Sequence, residues 1–182
     1  MPSNTFVVYV EDRPGVLNRV ASLCRRRGFN IESLSVGHTE TTGVSRMTIV
    51  VDTDGGGARR IEAHLGRLVN VLGVQNITAS PVVCRDLVMI KVAADAQARA
   101  HLMQLVDVFR ARVVDVAPAS IVIEMTGTED KIDGLLEVLR PYGVLEMVRT
   151  GRVAMVRGGA GRVARGPADG KPVDAGELPQ SV

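Results

Sequence analysis

The residues best suited to form a binding site lie together near the N-terminus, in the segment EDRPGVLNRV (11–20). Asp12 supplies a carboxylate, Pro14 has a fixed φ and no N–H group, and Gly15 has no side chain. The segment follows the β-rich run TFVVYVE (5–11), and a helix-spaced apolar pattern begins directly after it. A strand is therefore predicted to end here and a helix to begin.

The first turn of such a helix is suited to binding an anion. The N–H groups of Gly15, Val16 and Leu17 have no acceptor within the helix, and the positive end of the helix dipole lies beside them. A carboxylate fits these amides, and Asp12 next to them is placed to take an ammonium group, which together describe an α-amino acid. The same residues also suit a plain strand-to-helix turn, with Pro14 in the first helical turn and Asp12 as the cap. Spacing alone leaves both interpretations open.

The elements around this segment recur with a period of about 80 residues. In the first half the strands are predicted at 5–11, 30–39, 44–52 and 73–83, one helix runs from Val16 to RRRG (25–28), a loop covers DTDGGG (52–57), and a second helix is marked by Ile61, Leu65, Leu68 and Leu72. In the second half the strands are predicted at 84–94, 111–118, 119–127 and 143–151, with one helix marked by Ala98, Leu102, Leu105, Val106 and Phe109 and another, capped by Thr128, marked by Ile132, Leu135, Leu136 and Leu139. Both halves therefore have the order β-α-β-β-α-β.

This order predicts an α+β protein with two consecutive ferredoxin-like βαββαβ domains, each with two helices on one face of an antiparallel sheet. The domains are expected at 1–82 and 83–157, and residues 158–182, rich in Gly, Pro and Ala, are expected to form a disordered tail. Apolar residues are predicted on both faces of the first sheet, at Val7, Tyr9, Val36, Met47, Ile49 and Val51. A second apolar face needs a cover, so dimerisation or a protein partner is expected.

Several other functions are disfavoured. The formal net charge is +2, and the strands SRMTIVV and SIVIEMT lack the stacking aromatic residues of an RNA-recognition module. No apolar run approaches about 18 residues and no signal peptide is evident, which predicts a soluble, cytoplasmic protein. Cys24 and Cys84 lack the spacing of a metal site or a disulfide framework. The three histidines (38, 64 and 101) are scattered and do not suggest a metal site. Neither the base of an acylphosphatase-like hydrolase nor another set of catalytic residues is evident.

The run DRPGVLNRVASLCRRRGFNIESLSVGHTE, followed by SRMTIVV, resembles the ACT domain of the small, regulatory subunit of acetolactate synthase. The later run from FRARVVDVAP to EMVRTGRVAMVRG resembles the C-terminal domain of the same subunits. The resemblance implies a protein that does no chemistry and binds no cofactor or metal itself. It implies a catalytic partner subunit that carries thiamine diphosphate, FAD and Mg²⁺, and that this chain activates and subjects to feedback inhibition by valine, or by leucine or isoleucine.

The resemblance also implies a site at the interface of two paired ACT domains in a homodimer. The amides of Gly15, Val16 and Leu17 would hold the carboxylate of the amino acid, and Asp12, where many bacterial members have Asn, would hold its ammonium group. Asn30 and Ile31 of the neighbouring protomer would close the site. Asn30 also follows the turn glycine Gly28 at the start of a strand, where its amide can donate and accept hydrogen bonds. The alternative is an ACT-domain amino-acid sensor that serves a different enzyme.

Overall fold

The computed structural model describes residues 3–158 of the 182-residue chain. The predicted tail at 158–182 therefore lies almost wholly outside the described residues. Within the described part the chain divides into two compact units, one formed by residues 3–82 with 156–158 and the other by residues 83–155. Each unit is described separately below.

The first unit is a four-stranded antiparallel sheet with two helices. Its elements are β1 (Ser3–Glu11), α1 (Val16–Arg26), β2 (Ile31–His38), β3 (Val44–Asp52), α2 (Gly55–Leu65) and β4 (Val71–Asn76). The strand order is β2-β3-β1-β4, so β2 and β4 are the sheet edges. This is the predicted ferredoxin-like arrangement, and it places the start of α1 directly after the central strand β1.

The second unit repeats the arrangement with one extra strand. Its elements are β5 (Val82–Ala93), α3 (Ala96–Phe109), β6 (Arg112–Ala117), β7 (Ser120–Gly127), α4 (Glu129–Leu139), a short 3-10 helix (Arg140–Tyr142), β8 (Val144–Arg149) and β9 (Val153–Val156). The strand order is β6-β7-β5-β8, and β9 also pairs with β5. Thr128 precedes α4 as predicted, although its side chain makes no capping hydrogen bond with the described residues. The α+β class with two βαββαβ units is confirmed.

The core of the first unit lies between its helices and one face of its sheet. Val16, Val20 and Leu23 of α1 are buried against Phe6 and Val8 of β1. Burial of each such side chain contributes about 1.5–3 kcal/mol relative to leaving it exposed. The apolar spacing of α1 therefore fixes which side of the helix faces the sheet, and with it the position of the first helical turn.

The C-terminus of α1 closes as the sequence RRRG predicts. Gly28 adopts a left-handed conformation with φ +71°, which glycine takes without steric cost. Its N–H donates to the Arg25 carbonyl at 3.1 Å, and the Phe29 N–H donates to the Cys24 carbonyl at 3.0 Å. These two bonds form a Schellman motif. The motif ends the helix and directs the chain into β2 at Ile31.

The second helix of the first unit begins earlier than the sequence predicted. The glycine run 55–57 belongs to α2 and not to a loop, because the Asp54 carboxylate caps the helix by accepting from the Gly57 N–H at 2.6 Å. A Cβ at Gly57 would lie 1.9 Å from the Thr53 hydroxyl oxygen, so any larger residue would have to displace the buried Thr53 side chain. The helix also ends earlier, at Leu65; Leu68 lies in the following turn and Leu72 in β4, where it is buried. The strand predicted at 73–83 ends at Asn76.

Apolar residues lie on both faces of the first sheet, as predicted, but unevenly. Met47, Ile49 and Val51 belong to the core beneath the helices, and Val36 pairs directly with Met47 and shares that face. Only Val7 and Tyr9 of the predicted set lie on the opposite face. There the registered neighbours of Val7 across β3 and β2 are Thr48 and Ser35, which are polar. On this opposite face Val7 and Val50 are buried beside the buried Thr48, so the face combines apolar and polar groups.

Candidate functional site

The junction between β1 and α1 forms a tight, hydrogen-bonded turn. The Asp12 N–H donates to the Gly43 carbonyl at 2.8 Å, and the Arg13 N–H donates to the Glu11 carbonyl at 2.9 Å. The sequence suggested that Pro14 lies in the first turn of the helix. The helix begins at Val16, so Pro14 lies in the turn that precedes it. The predicted change from strand to helix at this segment is confirmed.

Gly15 occupies the N-cap position of α1 in a left-handed conformation, with φ +83° and ψ −7°. An L-residue with a side chain is strained in this conformation. A Cβ built on Gly15 meets no described atom within 4 Å, so the space in front of the first turn is open. Glycine is therefore required here by the backbone, and its bare Cα faces unoccupied volume.

The amides of the first turn are partly available. The Val16 N–H donates to the Arg13 carbonyl over 3.4 Å, at the long end of the hydrogen-bond range. Among the described residues no acceptor contacts the N–H of Gly15 or Leu17. Two of the three predicted anion donors thus have no acceptor within residues 3–158, and the third makes only a long bond. The positive end of the helix dipole adds to their attraction for a negative group.

Asp12 does not cap α1, contrary to one of the two predictions for it. Its Oδ1 accepts from the Ser45 hydroxyl at 3.2 Å, and its Oδ2 lies 3.3 Å from Nδ1 of His38. The Asp12 side chain remains 46% exposed. Because a carboxylate offers about four lone-pair sites, Asp12 can keep both partners and still accept an ammonium group.

A second network, which sequence reasoning missed, also holds the junction. Asn70 has a left-handed backbone with φ 74°, and its Nδ2 donates to Oε2 of Glu11 at 2.6 Å. Its Oδ1 accepts from Nη1 of Arg19 at 3.0 Å, and its carbonyl accepts from the Glu11 N–H at 2.9 Å. Glu11 also pairs with Arg13 at 3.1 Å. The residues on either side of the turn are thereby fixed to the loop before β4.

Ile31 is the first residue of the edge strand β2, and Asn30 lies directly before it. The exposed Asn30 donates from Nδ2 to the carboxylate of Glu32, and Ile31 is half-buried against the core. Within residues 3–158 no hydrogen bond joins Asn30 to Asp12 or Gly15. An edge strand exposes a row of backbone N–H and C=O groups that can pair with another strand.

Three other features of the described residues concern metal binding, the state of the two cysteines and the presence of a membrane-spanning helix. No group of three or more His, Cys, Asp and Glu residues there is arranged to hold a metal ion. Cys24 and Cys84 are free thiols, and burial raises the pKa of the Cys24 thiol. No helix among residues 3–158 is both long and apolar enough to cross a membrane.

The fold and the junction define an ACT-domain protein. The description "AHAS small subunit-like ACT domain" matches residues 6–73, and "Small subunit of acetolactate synthase" matches residues 85–158. The chain therefore belongs to the acetolactate synthase small subunit family. Membership in this family gives it a regulatory role.

Similar proteins agree along most of the chain. A probable acetolactate synthase small subunit of Archaeoglobus fulgidus is 49% identical, over 85% of this chain and 97% of its own length. The acetolactate synthase small subunit of Mycolicibacterium smegmatis is 48% identical, over 88% of this chain and 94% of its own. The crystal structure of the Thermotoga maritima small subunit has a TM-score of 0.81 and 36% identity, and it covers 86% of this chain and 98% of its own.

Proposed function

We propose that this chain is the regulatory subunit of acetolactate synthase in the cytoplasm, and that it activates the catalytic subunit and makes it sensitive to valine. Leucine and isoleucine share the groups that the site would recognise and are secondary candidates. The catalytic subunit would contain thiamine diphosphate, FAD and Mg²⁺. The chain itself would contribute binding and conformational coupling.

The observation that carries the effector site is the open first turn of α1. The unpaired amides of Gly15 and Leu17, with the weakly engaged Val16 amide, would bind the carboxylate of the amino acid. Asp12, half exposed beside the turn, would bind its ammonium group. Each charge-assisted hydrogen bond contributes about 1.5–3 kcal/mol. Two or three of them offset the cost of association and give affinities in the millimolar to micromolar range.

The edge position of β2 supports a homodimer of ACT domains. An exposed edge strand can pair with its copy around a two-fold axis, which extends the sheet without new elements. Asn30 and Ile31, at the start of this strand, would then approach the junction of the partner protomer and complete the site. Valine would bridge the two copies and favour one arrangement of the dimer over another.

A charge test at Gly15 examines the effector site. The variant Gly15→Asp places a carboxylate on the proposed carboxylate site, and the isosteric variant Gly15→Asn is its matched control. Asn and Asp both tolerate the left-handed conformation better than most residues, so both chains should fold. Gly15→Asp should abolish valine binding measured by calorimetry, and Gly15→Asn should weaken it less. Equal valine affinity in Gly15→Asp and the natural protein would exclude this site.

A reconstitution assay tests the regulatory role. The protein is mixed with an acetolactate synthase catalytic subunit, and acetolactate formation is measured with and without valine. The expected result is a rise in activity that valine reverses, with Gly15→Asp keeping the rise and losing the reversal. Valine binding without any rise in activity would favour the alternative, an amino-acid sensor that regulates a different enzyme.

A further inference from the structure

Three arginines and one histidine lie together on the helical surface of the first unit. Arg60 and His64 lie one turn apart on α2, Arg67 follows in the turn after that helix, and Arg27 lies at the C-cap of α1. The three arginines are exposed and His64 is half-buried. We call these four residues the basic stripe.

Each arginine of the basic stripe lies close enough to His64 for its charge to act on the imidazole. Burial lowers the pKa of the His64 imidazole, and the positive charges of Arg27, Arg67 and Arg60 lower it further. Among the described residues no carboxylate lies within 4.0 Å of any of the three arginines, whereas Arg13, Arg112, Arg149 and Arg152 all have ion-pair partners. Uncompensated like charges repel, so the isolated subunit holds a surface that an anionic partner would neutralise.

A groove continues this surface towards the sheet edge. It lies between α2 and β4, has a volume of about 470 Å³, and shares Arg67 with the basic stripe. Arg59 also lines the groove, and Val71 and Val74 form part of its apolar lining. The acidic Glu62 of the groove is already engaged, since its Oε1 accepts from the Asn76 N–H at 3.3 Å. Cations beside an apolar lining suit a protein segment that carries both carboxylates and apolar side chains.

We propose that the basic stripe and its groove dock onto a carboxylate-rich surface of the catalytic partner subunit. This inference rests on the proposed function, which requires such a partner. A protein is favoured over a nucleic acid because the stripe and the groove lining contain no Phe, Tyr or Trp side chain for base stacking, and because the chain as a whole has a net charge of only +2.

The surface is separate from the effector site. The proposed amino-acid site lies at the N-terminus of α1, and Arg27 lies just beyond its C-terminus, 11 helical residues away. At 1.5 Å per residue this is about 17 Å along the helix axis. Changes in the basic stripe should therefore alter docking and leave valine binding intact.

Charge reversal in the natural full-length chain tests the proposal. The double variant Arg60→Glu with Arg67→Glu should bind the catalytic subunit at least about tenfold more weakly at low salt, and should need correspondingly more protein for activation. The neutral pair Arg60→Gln with Arg67→Gln should have an affinity between those of the natural chain and the charge-reversed chain. The control pair Arg85→Glu with Arg140→Glu makes the same change of net charge on the second unit. It should lose much less affinity for the catalytic subunit. Melting temperature and valine calorimetry verify the fold, and Arg27→Glu replaces the double variant if that chain fails to fold.

The outcomes separate the two proposals. If the natural chain does not activate the catalytic subunit, the proposed function fails. If the natural chain activates it and the reversed stripe activates it equally well, or if the control pair loses as much, the docking surface is wrong. Binding of a fluorescent DNA duplex that the Arg60→Glu, Arg67→Glu chain loses, with unchanged binding of the catalytic subunit, would also overturn the proposal in favour of a nucleic acid.

Discussion

Nδ1 of His38 lies 3.3 Å from Oδ2 of Asp12, so the last residue of β2 contacts the first residue after β1. Ser45, paired opposite His38 in the hairpin, holds the other oxygen of the same carboxylate. The edge strand proposed to form the dimer is therefore connected to the residue proposed to bind the effector ammonium. This contact offers a direct route by which effector binding could alter the pairing of protomers.

Removal of the Asp12 carboxylate should weaken effector binding. A charge-assisted hydrogen bond is worth about 1.5–3 kcal/mol, and about 1.4 kcal/mol corresponds to a factor of ten. Asp12→Ala should therefore lower valine affinity by about ten- to a hundredfold in calorimetry, and Asp12→Asn, which keeps one acceptor oxygen, by less. Asp52→Asn, an exposed change at the far end of β3, serves as the control. Unchanged affinity in Asp12→Ala would remove Asp12 from the site.

The Asn70 network should act through the position of the junction. Asn70→Gly tolerates the left-handed backbone but removes the side-chain bonds to Glu11 and Arg19. We expect valine affinity to fall several-fold, while the free energy of unfolding falls by about 1 kcal/mol. Arg19→Met removes only the exposed bond and should have the smaller effect on valine affinity. Loss of stability without any loss of affinity would mean that the network serves folding alone.

The parts of the fold that sequence could predict depend on local rules. The third strand was predicted at 44–52 and is observed at Val44–Asp52, because a run rich in β-branched residues follows a glycine turn. The end of α1 was predictable because cations followed by glycine are typical of helix C-termini. Gly15 was recognised as special, and its left-handed backbone provides the physical reason.

The parts that sequence could not predict depend on tertiary contacts. Leu72 continues the helical spacing of Ile61 and Leu65, but it is buried from β4, and spacing alone cannot distinguish the two positions. The partners of Asp12 are 26 and 33 residues away, and the pairing of β3 with both β1 and β2 brings them to it. Asn70 carried no helix or strand signal, and its role depends on where the loop before β4 meets β1.

The pKa of His64 should report directly on the basic stripe. It lies below the ordinary value of 6.5 because of burial and the charges of Arg27, Arg67 and Arg60. Arg27→Gln and Arg67→Gln should each raise it, whereas the control Arg140→Gln, which removes a charge that is not among those acting on His64, should not, as followed by NMR titration of the imidazole. Since the unfolded chain binds this proton more readily, this residue destabilises the fold as the pH falls below about 6.5. If the His64 pKa were unchanged in both Arg27→Gln and Arg67→Gln, these charges would lie too far from His64 to act on it.

The ion-pair cluster of the second unit should be its most sensitive polar feature. Arg149 contacts Oδ2 of Asp86 at 2.6 Å and Oδ1 of Asp133 at 3.1 Å, and the Asp86 side chain is only 7% exposed. Burial disfavours the charged guanidinium, but Asp86, Asp133 and Glu129 outweigh it and raise the pKa of Arg149. Arg149→Met would leave Asp86 buried without its cation. We expect the free energy of unfolding in urea to fall by about 3 kcal/mol.

Two further variants separate loss of the pair from loss of packing. Arg112→Met removes an arginine that is 77% exposed from its pair with Glu124, and should cost about 0–1 kcal/mol. The double variant Asp86→Leu with Arg149→Met removes the buried carboxylate together with its partly buried cation and should recover much of the stability that Arg149→Met loses, since apolar groups can replace such a pair. If the double variant were less stable than Arg149→Met, the cluster would stabilise the unit through Asp86 itself and not through neutralisation of its charge.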